Sequence, residues 1–350
     1  MTHERIQSNL DELSRVRHLV HGLHPLIGWL EENGRDCSTF LEQAGIPESA
    51  LEDPDYKIMP AQELAFYVSA CQTLDKADLG LIIGPRYHIS TYGMLGLAAM
   101  TAADVYGCYQ RFFDHIVMTW TYFRFIMYAD GEEGVLEMEP LRDLGDAYSF
   151  MRDRDITAAY GIACEALGRR LPLIRVELKG KAPSYQQAYV DLFHAPIEFD
   201  AGRDAIVFEV KWFDEPLHRA DAATSNVFAS QCEPISAALR NEYNLTEHIR
   251  SIVMNWDEAP KTLEEVAEEL HTTPRTIQRK LSAAGTTYKE LVEEVRTNIA
   301  IEYLRSTQFT IEVIGAKIGY ADTSSFSHAF KRTTGQTPSA FRNASDSSAH

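Results

Sequence analysis

The feature that most limits what this chain can form is an approximate repeat near its C-terminus. The first unit reads TLEEVAEELHTTPRTIQRKLSAAG (262–285) and the second TIEVIGAKIGYADTSSFSHAFKRTTG (310–335). Each opens with apolar residues three or four positions apart: Leu263, Val266, Ala267 and Leu270 in one, Ile311, Ile314 and Ile318 in the other. That spacing predicts an amphipathic helix. A short polar turn follows, HTT or GYAD, and a second helix begins, anchored by Ile277 and Leu281 or by Phe326 and Phe330. Thr272 or Thr273 before Pro274 suits an N-cap, as does Asp322 or Thr323, and Gly285 and Gly335 suit C-terminal caps. Helix, tight turn, helix is the geometry that offers its second helix to a major groove.

The segment between the units reinforces this reading. From Tyr288 to Leu304, apolar residues fall at offsets 0, 3, 4, 7, 11, 12, 15 and 16, a continuous helical stripe. A helix over 287–306 would be about 30 Å long, against about 34 Å for one turn of B-DNA. Such a spacer suits two recognition helices in successive major grooves.

A formal charge of −18 opposes nucleic-acid binding until its distribution is examined. Residues 260–342 hold 11 Lys+Arg and 10 Asp+Glu, so this block is +1 and the remaining chain −19. Within the block, TTPRTIQRKLSAAG carries Arg275, Arg279 and Lys280 with no acid, while Glu264, Glu265, Glu268 and Glu269 crowd the preceding helix. One surface of an acidic chain is arranged to meet an anion.

The block from 247 to 342 resembles the DNA-binding domain of AraC/XylS-type transcription regulators. TPRTIQRKL is similar to the first recognition helix, and IGYADTSSFSHAFKRTTGQTPSAFR to the C-terminal signature. Ile318-Gly319-Tyr320, Phe326, Ala329 to Arg332, Gly335, Pro338 and Phe341-Arg342 stand where that pattern expects them. Residues 24–215 more weakly resemble the α+β arabinose-binding-like regulatory domain of one subgroup, through FLEQAGIPESALEDPDYKIMP and YVDLFHAPIEFDAGRDAIVFE. The implied organisation is an extension (1–23), an effector-binding or dimerisation domain (24–215), a linker (216–245), a DNA-binding domain (246–343) and a disordered tail (344–350). The fold class is an N-terminal α+β domain plus a C-terminal all-α domain, its two helix-turn-helix units joined by a linker helix.

The resemblance turns Arg275, Thr276, Gln278 and Arg279 toward DNA, and Thr323, Ser324, Ser327 and His328 in the second unit. Arginine makes two hydrogen bonds to guanine, which nominates Arg279 as a base reader, and Gln278 can pair with adenine. The competing reading pairs Arg275 and Arg279 with the Glu264–Glu269 cluster. His328 stands where many relatives have arginine, so the second helix is expected to add backbone affinity, with Lys331 and Arg332 on phosphates. Gly315 replaces a usual alanine, at a cost of about 0.8–1.0 kcal/mol in plain helix. The resemblance also implies a homodimer that activates transcription through contact with RNA polymerase.

In the N-terminal half, helices are expected near 24–33, 36–44, 60–74 and 146–170. HIVMTWTYFRFIMY, ADGEEG and VLEMEP read as a strand, a glycine turn and a returning strand, and further strands are expected at 173–180, 196–199 and 205–210. A strand over 115–128 would be apolar on both faces and would be buried or line a pocket. Trp120, Tyr122 and Arg124 on one face are candidate effector contacts, Arg124 binding a carboxylate or pairing with an acid such as Asp114. Short helical stretches are expected across 211–245.

Other classes find little support. Cys37, Cys71, Cys108, Cys164 and Cys232 lack metal-site spacing, and His88, His115 and His194 show no ligand pattern, so neither a metal nor a cofactor is expected. No G-x-S-x-G, P-loop, H-E-x-x-H or C-x-x-C occurs, which argues against an enzyme. The longest apolar runs, Leu79–Ile83 and Met94–Met100, are too short for a membrane span, and the charged N-terminus lacks a signal core, so a cytoplasmic location is expected. A regulator whose N-terminal half only dimerises or binds a protein partner remains the alternative to a sensor.

Overall fold

The computed structural model describes residues 5–7, 17–254, 260–307, 309–320 and 322–347. The chain divides into two compact units, Met1–Arg240 and Asn241–His350.

In the first unit, β1 (Ile6–Gln7), β2 (His18–Leu19), α1 (His24–Glu32), α2 (Ser38–Ala44), β3 (Lys57–Ile58) and α3 (Pro60–Leu74) come first. Next are α4 (Leu79–Ile83), α5 (Gly93–Met100), α6 (Val105–Asp114), β4 (Phe123–Asp130), β5 (Glu133–Pro140) and α7 (Tyr148–Leu167). Then follow β6 (Arg175–Glu177), α8 (Gln186–Phe193), β7 (Ile197–Glu198), β8 (Asp204–Glu209) and the start of α9 (Ala222–Met254). One sheet has the order β1-β4-β5-β8-β6-β7, antiparallel except for β6 with β7, and β2 pairs with β3 separately. The central hairpin closes where Asp130 faces Glu133 across Gly131, whose φ of 62° is the left-handed turn that glycine favours.

The expected strand over 115–128 is shorter than its composition suggests. Ile116–Met118 form a 3-10 turn, and β4 begins only at Phe123. The intervening backbone serves side chains instead: the Trp120 carbonyl accepts from Arg154 at 2.5 Å, and the Phe123 amide donates to Thr121 Oγ at 3.0 Å. β-branched and aromatic content marked burial here, but polar partners took the ladder bonds.

The linker also differs from expectation. Residues 222–254 form one helix rather than short stretches, despite Pro234. Asp221 accepts hydrogen bonds from the Ala223 and Thr224 amides at its start. Ser225 Oγ donates to the Ala98 carbonyl at 2.8 Å and Ser236 Oγ lies 3.0 Å from His115 Nδ1. These anchors hold the helix on both sides of the proline, which removes one ladder bond.

The second unit contains the end of α9, then α10 (Leu263–Glu269), α11 (Pro274–Ala283), α12 (Tyr288–Ser306), α13 (Ile311–Lys317), α14 (Thr323–Thr334) and α15 (Pro338–Ser347). Of the tail expected to be disordered, 344–347 belong to α15, and 348–350 lie outside the described residues. Two apolar clusters form. Ile252, Val266, Ile277, Leu281, Leu291 and Val295 lie in the first, and Ala300, Leu304, Ile314, Ile318, Phe326 and Phe330 make up the second. Ile299 packs against both, so α12 is common to the two helix–turn–helix pairs.

The repeat shows size compensation. Ala267 and Ile277 in the first pair correspond to Gly315 and Phe326 in the second. A methyl at Gly315 would sit 3.3 Å from the Phe326 ring and 3.4 Å from its Cβ, so the glycine admits the larger partner. Gly315→Ala should therefore fall short of the stabilisation of about 0.8–1.0 kcal/mol that helix propensity alone would give. Combined with Phe326→Leu it should couple favourably in a double-mutant cycle read by urea denaturation. The full propensity gain in the single variant would mean that the crossing has slack.

Candidate nucleic-acid interface and effector cavity

The helix expected to carry base recognition starts at Thr273, whose hydroxyl accepts from the Thr276 amide at 3.2 Å, with Pro274 in the first turn. This start fixes the helical phase. Ile277 and Leu281 are buried, and Arg275, Gln278, Arg279 and Lys280 are exposed. Thr276 is half-buried and its Oγ lies 2.9 Å from that of Thr273. Among the described residues, Arg275 and Arg279 have no hydrogen-bond or ion-pair partner. In the acidic cluster, Glu265 caps Thr262 through its amide at 2.6 Å and Glu269 pairs with Lys261 at 2.5 Å.

The second pair follows the same plan. Asp322 caps α14 by accepting from the Ser325 amide at 2.8 Å, and its carboxyl is held below the ordinary range by that bond and the Ser325 hydroxyl. Phe326, Ala329 and Phe330 turn inward, while Thr323, Ser324, His328, Lys331 and Arg332 are exposed and Ser327 is half-buried. Arg332 is not free: its guanidinium lies 3.1 Å from Glu293 Oε2 on α12, which also accepts from Tyr320 at 3.2 Å. Arg296 donates to the Gly319 carbonyl at 3.0 Å and stacks on Tyr320, 4.7 Å from the ring centre. Glu293 and Arg296, which the sequence reading did not single out, thus tie the turn of the second pair to the shared helix. Their signal was an i,i+3 pair of opposite charges on a helix that also carries Lys289, Glu290, Glu294, Glu302 and Arg305.

A separate site lies inside the first unit. Tyr87, Tyr92, Phe112, Phe113, Trp120 and Phe125 line a cavity, together with Arg154 and Asp155 on α7. The enclosed space there is about 50 Å³, and it opens onto a wider region that reaches solvent. Of the three candidate effector contacts, Trp120 lines this cavity, whereas Tyr122 and Arg124 do not. Tyr122 is fully buried and donates to Glu63 Oε2 at 2.7 Å, and Arg124 lies opposite Glu139 on β5. The different outcome follows from the late start of β4, which takes Trp120 out of the strand.

The polar floor of this cavity was legible only as RDRD in residues 152–155. All four side chains are buried. Arg154, 2% exposed, donates through Nε to Asp155 at 2.6 Å and lies over the Tyr67 and Tyr87 rings at 5.4 and 5.3 Å. Asp155 also accepts from Thr121 at 2.6 Å. Behind it, Glu63 Oε2 is 2.6 Å from His18 Nδ1, and Glu63 Oε1 is 3.6 Å from Arg154. Burial alone would raise the Glu63 carboxyl, but His18, Arg154 and the Tyr122 hydroxyl outweigh it and hold it below its ordinary value. Among the described residues, no group of three or more His, Cys, Asp or Glu is placed to hold a metal ion, and all five cysteines are free thiols. No described helix is long and apolar enough to cross a membrane.

Paired helix–turn–helix elements on a shared helix, following an α/β unit with an internal cavity, define a DNA-binding transcription regulator. The chain belongs to the AraC-type regulators: residues 34–217, more than half its length, match the arabinose-binding N-terminal domain of AraC transcription regulators, and residues 266–344 match a helix-turn-helix domain. It is 28% identical over 320 residues to the ornithine utilization regulator of Pseudomonas aeruginosa, covering 91% of this chain and 94% of that one. The regulator VqsM of the same organism is 28% identical over 287 residues, covering 75% and 83%. The crystal structure of the P. aeruginosa transcriptional regulator CdpR aligns over 92% of this chain and 98% of its own, at 21% identity and a TM-score of 0.44.

Replacing Glu63 with Gln should destabilise the protein by about 3–5 kcal/mol, because it leaves buried cationic groups with one carboxylate fewer. The lowered carboxyl fixes the sign of the pH dependence. Its stabilisation is complete above the ordinary value of 4.5 and is lost as pH falls through the folded value. The gap between wild type and Glu63→Gln in urea titrations should therefore be widest near neutrality and narrow below about pH 4.5. A gap that widens on acidification would contradict this.

Proposed function

We propose that this protein binds promoter DNA through both helix–turn–helix pairs, with α11 and α14 in successive major grooves on one face of the duplex. The observation that carries this reading is the outward face of α11: its apolar residues are buried and its two arginines are exposed without partners among the described residues. Arg279 and Gln278 read bases, Arg275 and Thr276 stand beside them, and Thr323, Ser324, Ser327 and His328 meet the backbone of the second half-site. Lys331 contacts phosphate. Arg332 joins it by exchanging Glu293 for phosphate, or stays as the brace that fixes α14. The 19 residues of α12 span about 28 Å, near the repeat of one helical turn.

In this reading the protein acts as a cytoplasmic homodimer that activates transcription through RNA polymerase. Its first unit binds a small-molecule effector in the aromatic cavity, and occupancy controls DNA affinity. What supports control by an effector is the membership in a family whose N-terminal domain is described as arabinose-binding, together with an aromatic-walled cavity in that domain.

Arg279→Ala should cost about 1–3 kcal/mol of binding, concentrated at one base pair, when the variant is titrated against a set of single-base operator changes. Lys331→Ala should weaken every sequence alike and reduce the slope of log affinity against log salt by about one. Binding that does not change between low and physiological salt would exclude groove docking by these helices.

A further inference from the structure

The proposal concerns the occupant of the aromatic cavity, and it rests on the reading of the first unit as a sensor. The charges beside the cavity are already matched. Arg154 faces two carboxylates, Asp155 at 2.6 Å and Glu63 at 3.6 Å, and donates a further bond to the Trp120 carbonyl. Its Nη1 makes no hydrogen bond but is shut off from the surface, and its single positive charge is already set against two carboxylates, so a third acid would add net negative charge. Asp155 in turn has one oxygen on Arg154 and the other on Thr121. A ligand ammonium would have to break one of those bonds inside an apolar wall, where an unmatched charge is very costly.

The neutral polar groups are mostly spent as well. Tyr87 donates to the Gly22 carbonyl at 2.6 Å, Tyr109 to the Ala159 carbonyl at 3.0 Å and Thr119 to the Ile116 carbonyl at 2.7 Å. The Tyr92 hydroxyl is different: among the described residues it has no hydrogen-bond partner. A sugar would bring several hydroxyls to a wall that can satisfy about one, and each buried hydroxyl without a partner opposes binding. Seven of the fifteen lining residues are aromatic, so much of the wall is planar carbon. Tyr92 meets Phe112 edge-on with ring centres 4.9 Å apart, and its ring lies 5.3 Å from Trp120. Surfaces of this kind favour a ring over a saturated chain of equal area.

We propose that the cavity binds an uncharged, ring-bearing aromatic molecule with one hydroxyl or carbonyl group, which pairs with Tyr92. Sugars and charged amino acids or carboxylates are poor occupants. The description of the family domain as arabinose-binding therefore does not carry over to the ligand of this chain.

Calorimetry on the full chain tests this with p-cresol, indole and toluene against 4-hydroxybenzoate, tyramine and L-arabinose. The uncharged aromatics should bind, and the last three should be weaker by about tenfold or more. Tyr92→Phe should weaken p-cresol about three- to tenfold and leave toluene unchanged, since only one hydrogen bond is lost. Ala158→Phe, which fills the cavity from α7, should abolish binding of all three aromatics. If this variant does not melt cooperatively, Tyr92→Phe carries the site assignment alone. Equal or tighter binding of an anion, a cation or arabinose overturns the ligand class. So does failure of all three aromatics to bind at their solubility limits, and an unchanged p-cresol affinity in Tyr92→Phe overturns the site. Operator binding measured with and without p-cresol separates the two readings. Binding without an effect on DNA affinity supports the ligand class and removes its control of DNA affinity, whereas a charged compound that shifts DNA affinity keeps the sensor and overturns the class.

Discussion

The second unit depends on α12 being buried twice. Its N-terminal half contributes Leu291 and Val295 to one cluster and its C-terminal half Ala300 and Leu304 to the other, with Ile299 touching both. Each large aliphatic side chain buried in this way is worth about 1.5–3 kcal/mol relative to exposure. A helix–turn–helix pair of short helices cannot enclose a core by itself, since α10 and α13 have only seven residues each. Isolated helices of that length are marginal in water. The shared helix supplies the missing wall to both pairs and makes their separation a property of one rigid element. Thr287 and Glu290 form a reciprocal cap at its start, and Glu293 and Arg296 fasten it to the second turn.

In the first unit the corresponding constraint is polar. α7 is buried nearly all round, yet carries Arg152, Asp153, Arg154 and Asp155 in succession. Each arginine bonds the aspartate that follows it, and tyrosine hydroxyls add to the set, Tyr185 and Tyr189 on Asp153 and Tyr122 on Glu63, while Arg154 Nη1 and Glu63 Oε1 face each other at 3.6 Å without a hydrogen bond. Burying one of these charges without its partners would cost several kcal/mol, so the network forms as a whole or the helix does not pack. The arrangement also explains why the cavity beside it is electrically quiet. The charges that border it are committed to the fold.

The second unit was legible in sequence because helix caps and apolar spacing are local. Thr273 before Pro274, Asp322 three residues before Ser325, and the stripe along α12 each follow from neighbours within one or two turns. The cavity was not legible for the opposite reason. Its wall joins residues from 87 to 162, and which aromatic faces inward depends on where β4 starts. That start is set by the bond from Arg154 to the Trp120 carbonyl and the bond from the Phe123 amide to Thr121 Oγ, not by the alternation of the strand itself. Alternation therefore nominated Arg124, which shares a stretch with Trp120, and passed over Arg154, which shares a cavity with it. The same limit applies to α9, where Pro234 reads as a break until the buried serines on either side are seen to hold the helix.

Net charge is a poor guide to the partner of such a chain because the field at a contact is local. At physiological salt, exposed charges farther than about 8 Å are largely screened, so a phosphate at α11 responds mainly to Arg275, Arg279 and Lys280. Two of the four glutamates in the helix before α11 are engaged by their own neighbours. Glu265 is turned into the N-cap of α10 and Glu269 is neutralised by Lys261, while Glu293 restrains Arg332. The −19 carried outside residues 260–342 then acts as a general repulsion from nucleic acid that no particular sequence relieves. It lowers affinity for every duplex alike and so leaves the ratio between sequences unchanged; in the proposed docking, discrimination falls to the exposed side chains of α11.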